Sequence, residues 1–235
     1  MVVKLQEVFQ TDELLHDLEE NQAPLLSNLT SLELKSLPEL KWIWKGPSNY
    51  VCLQSLKVAE ISHCNRLKYL FSPSLAQSLV LLEQLKIEYS DGLEHITTEL
   101  EIDDNIESNG SYLHPPLLPK LTSLQIHFCP RLKYVFQIPS AHILPQLNSV
   151  SISNSLQLEH VFNVVKVNNG VDRGFALPRL QDLQLQNLIN LSCFCSVNYP
   201  FVSPSLEKLI ILACPRLENF TIQQEINKRD RKSVV

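Results

Sequence analysis

Apolar and polar positions alternate along this chain in a compound rhythm. In LTSLQIHFCPRLKYVF, Leu121 to Phe136, the apolar residues are Leu121, Leu124, Ile126, Cys129, Leu132, Val135 and Phe136. With Leu121 as position 0, they stand at positions 0, 3, 5, 8, 11, 14 and 15. The step of two from Leu124 to Ile126 is a strand step, because alternate side chains of a strand share a face. The steps of three that follow do not continue a strand and predict a turn that coils the chain back. One such unit cannot bury its own apolar edge; it needs a copy on each side.

Copies begin at Leu29, Leu56, Leu82, Leu121, Leu147, Leu180 and Leu206, numbered here as units one to seven. The spacings are 27, 26, 39, 26, 33 and 26, a period of 26 to 27 interrupted by two insertions. That period falls in the leucine-rich-repeat range of about 20–29 residues. The predicted fold is an α/β solenoid, a leucine-rich-repeat horseshoe with a concave parallel β-sheet and an irregular or short-helical convex side. Each strand is expected over positions 2 to 7, with positions 3 and 5 turned inward and 1, 2, 4, 6 and 7 outward.

The flanks divide the chain further. Residues 1–24 read as a partial repeat followed by a connector helix in Thr11 to Glu20, TDELLHDLEE, with a Thr cap and early acids. Residues 25–221 form the solenoid, with insertions at 97–118 and 163–178, and 222–235 are a polar tail. Ser72 as cap and Pro73 in the first turn predict a convex-side helix over about 73–80. Pro119, Pro145, Pro178 and Pro204 precede four of the units and suit the turn that enters a strand. No good cap marks the N-terminal edge, and a weak one the C-terminal edge, so the expectation is part of a longer chain.

Composition narrows the function. A net charge of -5 and a pI near 5.8 argue against nucleic acid or an anionic membrane as partner. No run reaches the roughly 18 apolar residues of a membrane span, and MVVKLQEVFQ lacks a signal-peptide core. Cys64, Cys129 and Cys214 share position 8 with Leu37, Ser90, Ser155 and Leu188. That slot is a small buried rung in which cysteine acts as a small hydrophobe, and units several repeats apart cannot supply disulfide partners. A reduced, cytoplasmic protein is expected, although glycosylation sequons at Asn28, Asn109, Asn190 and Asn219 keep an extracellular reading open.

Chemistry-bearing residues do not converge. His63 beside Cys64, and His127 near Cys129, place histidine outward and cysteine inward, so neither pair can share an ion. Cys193 and Cys195 form a lone C-x-C best read as buried structure, and His95 and His160, both at position 13, read as surface-turn residues. No phosphate loop or acid–base constellation is present. An enzyme is not expected, and neither is a cofactor or a metal.

What remains is the outward surface. Position 7 reads Ser36, His63, Tyr89, Phe128, Asn154, Asn187 and Ala213, and position 6 reads Lys35, Ser62, Glu88, His127, Ser153, Gln186 and Leu212. His63, Glu88, Tyr89, His127 and Phe128 therefore make an aromatic and polar patch, the composition of an interface centre. Units five and six offer a neutral polar row. Ile210, Leu212 and Ala213 of unit seven are apolar where exposure is expected, which calls for cover by the tail or a partner.

The endings CNRLKYLF, CPRLKYVF and CPRLENF after L-x-x-L-x-I, with LPELKWIW and LEHVF elsewhere, carry a family resemblance over about residues 5 to 220. The chain resembles the leucine-rich-repeat region of plant intracellular nucleotide-binding disease-resistance receptors of the coiled-coil type. The resemblance implies a protein-recognition module of innate immunity that binds a pathogen effector or a guarded host protein and helps to restrain a nucleotide-binding domain in the full-length receptor. It implies no ATP site in this chain, which lacks that domain. The repeat pattern alone also fits an extracellular receptor ectodomain or the substrate-recognition repeats of a ubiquitin-ligase adaptor.

Overall fold

The computed structural model describes residues 5–10, 25–45, 51–97, 118–138, 144–164, 175–196, 201–218, 220 and 222–223. The connector helix expected in Thr11 to Glu20 and most of both insertions and of the tail lie outside these residues.

Seven five-residue strands form one all-parallel sheet in unit order. They are Ser31–Lys35, Val58–Ser62, Gln84–Glu88, Ser123–His127, Ser149–Ser153, Asp182–Gln186 and Lys208–Leu212. Pairing follows the repeat position for position, so Leu124 faces Val150 and Ile126 faces both Ile87 and Ile152. The register crosses both insertions intact: Leu85 pairs Leu124 and Val150 pairs Leu183. Repeat architecture also reaches into the ends of the insertions. His95–Thr97 and His160–Val164 are strands, and Leu118 and Leu177 are buried.

Positions 3 and 5 point into the core, and in units two to six their burial is essentially complete. Unit seven differs. Its strand is one edge of the sheet, with no further rung against it among the described residues, and Leu209 is 44% exposed and Ile211 only half-buried. Leu212 is 56% exposed, and most of the tail expected to cover this unit lies outside the described residues.

Each strand stops at position 6, one residue earlier than the alternation predicts. Position 7 adopts a left-handed backbone in all seven units, with φ between 48° and 56°. This single turn explains why the apolar series runs 3, 5, 8. A continuing strand would send position 7 inward; the left-handed residue swings out and returns position 8 to the core. Its N–H still extends the ladder, donating to the position-6 carbonyl of the next unit in six cases, Phe128 to Ser153 O at 3.0 Å among them.

Position 8 is buried in units two to six and half-buried in units one and seven, and it is also a donor site. Ser90 Oγ donates to Glu88 O at 3.1 Å, and the thiols of Cys64, Cys129 and Cys214 reach the corresponding carbonyls at 3.5, 3.6 and 3.5 Å. Serine and cysteine recur here because both are small and can hydrogen-bond the turn they follow. Burial pushes the Cys129 thiol up to about 12, which leaves it protonated and inert near neutrality. All six cysteines are free thiols.

The other flank is built mostly of short strands. The helix described there is Pro73–Ser78, with Ser72 Oγ accepting from Leu75 N–H at the cap. Beyond it, positions 13 to 15 pair in parallel, as in Tyr69–Phe71 with His95–Thr97, and Tyr134–Ile138 with His160–Val164 and then Cys193–Cys195. His95 and His160 thus open strands of a second ladder, in two separate short sheets, and do not sit in a surface turn. The reason is the same stacking: once position 11 is anchored inside, the next residues of neighbouring units run side by side at rung distance. Phe136, Phe162, Phe194 and Phe220 pack successively beneath this ladder at 5.3 to 6.0 Å.

Candidate protein-binding surface

The left-handed turn decides what the outer edge presents. A side chain at position 7 leaves the end of its strand, and its neighbours sit one rung away on each side. In units two to four these side chains are His63, Tyr89 and Phe128. Their rings stack in a continuous row: His63 on Tyr89 at 4.9 Å and 20°, Tyr89 on Phe128 at 4.7 Å and 8°. The spacing is that of the strands beneath, near 4.8 Å. The rings pack on each other and remain open to water, with Tyr89 42% and Phe128 41% exposed. Because their faces are turned to one another, the row shows solvent the ring edges, which carry the positive end of the aromatic quadrupole.

The conformation is not free for such residues. Asparagine and histidine tolerate a left-handed backbone, whereas bulky residues there are uncommon. Leu118 and Leu144 also have positive φ, but they are buried in the core, where burial offsets the strain. Tyr89 and Phe128 lack that compensation.

The two other residues expected in the patch line the base of the row at position 6. Glu88 pairs with Lys86 at 3.1 Å. His127 Nδ1 lies 2.8 Å from Ser153 Oγ, and burial pushes the imidazole below its ordinary value. The structure thus brings the five predicted residues together on two adjacent rows, three as an exposed aromatic edge and two as half-buried groups with partners of their own.

Past Phe128 the row continues in a different chemistry. Asn187 Nδ2 donates to Asn154 Oδ1 at 3.0 Å, and Asn154 Nδ2 donates to Ser153 Oγ at 3.2 Å. In units one and two the strands carry paired charges instead: Lys35 bridges Glu33 and Glu60.

The sequence reading missed a cleft of about 600 Å³ beside the aromatic row, at positions 9 and 10 of units two to five. Asp91, Gly92, Pro130, Arg131 and Leu156 are among its walls. The signal was present: Gly92 occupies position 10, where every other unit has a side chain that is charged or carries an amide.

Among the described residues no group of three or more His, Cys, Asp or Glu is arranged to hold a metal, and no helix is long and apolar enough to cross a membrane. A parallel sheet stacked unit on unit is the architecture of a leucine-rich-repeat protein-interaction module. The family model for the leucine-rich repeats of plant disease resistance proteins like RPS2 matches residues 2–91 and 98–226. The chain belongs to that family. No solved structure matches it.

Proposed function

We propose that this chain is the recognition surface of an intracellular plant immune receptor, and that His63, Tyr89 and Phe128, flanked by Glu88 and His127, contact a pathogen effector or a guarded host protein. The observation that carries this reading is the row of stacked, exposed rings on left-handed backbone. Asparagine at the same position satisfies the fold in units five and six. Rings in that place gain little burial from folding and gain it on contact with a partner, which is how aromatic hot spots work. In a full-length receptor the same surface would act in the cytoplasm, its release from or engagement with a nucleotide-binding domain setting the resting state.

Alanine at Tyr89 and Phe128 tests this directly. The parent chain, purified and incubated with extracts of challenged tissue, should retain a protein that then binds it as a purified pair. The double variant, with an unchanged circular dichroism spectrum, should not. Equal binding by both would refute the assignment.

A further inference from the structure

Position 10 carries a row of its own, in which two of three arginines are met by an oxygen from the unit before. Arg66 of unit two pairs with Glu39 of unit one at 2.6 Å. Arg216 of unit seven donates to Asn190 Oδ1 of unit six at 3.0 Å. Arg131 of unit four is the third arginine of the row, and the residue before it is Gly92, which has no side chain to offer. Among the described residues no carboxylate lies within ion-pair distance of Arg131. The glycine is itself required: a Cβ there would lie 2.2 Å from the Asn65 carbonyl oxygen, well inside contact distance. Close packing of units two and three therefore removes one side chain from the row and leaves the cleft where it stood.

We propose that this vacant rung receives a carboxylate. An Asp or Glu side chain of the protein that engages the aromatic row enters beside Gly92 and pairs with Arg131, as Glu39 pairs with Arg66. The inference rests on the recognition reading above and specifies the chemistry of the partner. Its placement is consistent with that reading, since Asp91, Pro130 and Arg131 follow Tyr89 and Phe128 by only two or three residues. A guanidinium beside apolar walls, here Pro130 and Leu156, holds a carboxylate through paired charge-assisted hydrogen bonds. Asp91 lines the same cleft and opposes an incoming negative charge, so its removal should act in the reverse sense to loss of Arg131.

The test selects displayed random peptides on the parent chain and keeps only clones that fail to bind the Tyr89→Asn/Phe128→Asn variant. The retained clones, made as synthetic peptides, should carry an acidic residue at a fixed distance from an apolar one. Their affinity should fall about tenfold in Arg131→Gln, rise in Asp91→Asn and weaken with salt. Thermal midpoints close to the parent's would show that both variants fold. Ring-dependent clones without acidic enrichment and indifferent to Arg131→Gln would overturn the carboxylate inference and leave the recognition surface standing. Failure to recover any ring-dependent clone would overturn both.

Discussion

Units two to four and units five and six solve the same backbone problem with different side chains. Position 7 has φ of 48° to 56° in both groups, and its N–H makes the same bond to the next unit. One group fills the place with His63, Tyr89 and Phe128, stacked and exposed; the other with Asn154 and Asn187, joined by a side-chain hydrogen bond. The fold thus dictates the conformation and leaves the chemistry open. Where that freedom is used for asparagine, local conformational preference suffices as an explanation. Where it is used for tyrosine and phenylalanine, local preference argues the other way, and the proposed contact with a partner is what would account for the choice.

The contrast breaks most visibly in binding. Converting the aromatic group to the asparagine type, Tyr89→Asn with Phe128→Asn, should weaken affinity for the captured protein about 100-fold or more, the scale of two buried hot-spot residues. Isothermal calorimetry with the purified partner measures it. A change of threefold or less would place the contact elsewhere.

Forcing the asparagine group the other way tests the backbone half of the comparison. Asn154→Val puts a β-branched residue on left-handed backbone and should cost about 1–2 kcal/mol in urea unfolding. Asn187→Ala removes the hydrogen bond to Asn154 and should cost about 0.5–1 kcal/mol. Neither should alter affinity for the captured protein.

The smallest effect lies at the boundary. His127, bonded to Ser153, links the two groups, and burial depresses its folded pKa below the ordinary 6.5. A depressed base binds protons more readily unfolded than folded. Its contribution to stability is therefore complete above pH 6.5 and declines as pH falls toward the lowered folded value. Urea midpoints should drop less steeply on acidification in His127→Gln than in the parent; parallel curves would remove His127 from the account.

Much of the fold was legible because stacking multiplies one pattern seven times. Leu124 at position 3 and Ile126 at position 5 mark the strand, and the intact pairing of Ile87 with Ile126 across an insertion follows from matching positions alone. The left-handed turn was not legible from hydrophobicity, since an outward residue at position 7 does not name the backbone that turns it out; the step from 5 to 8 was its only trace. The second ladder hid behind polar letters: His95 and His160 look like turn residues until their neighbours in adjacent units are aligned. The patch residues were legible as a row, while their stacking required ring orientations that no spacing encodes. The cleft went unseen because it depends on a side chain that Gly92 lacks.

The central claim is that Tyr89 and Phe128 serve contact and contribute little to folding. The urea unfolding free energy of the Tyr89→Asn/Phe128→Asn chain tests it most directly. Relief of left-handed strain and loss of ring stacking are each about 1 kcal/mol per residue, so the account predicts a value within about 1 kcal/mol of the parent. A loss of about 3 kcal/mol or more, the scale of a core truncation, would show that the rings hold the repeats together and would contradict it.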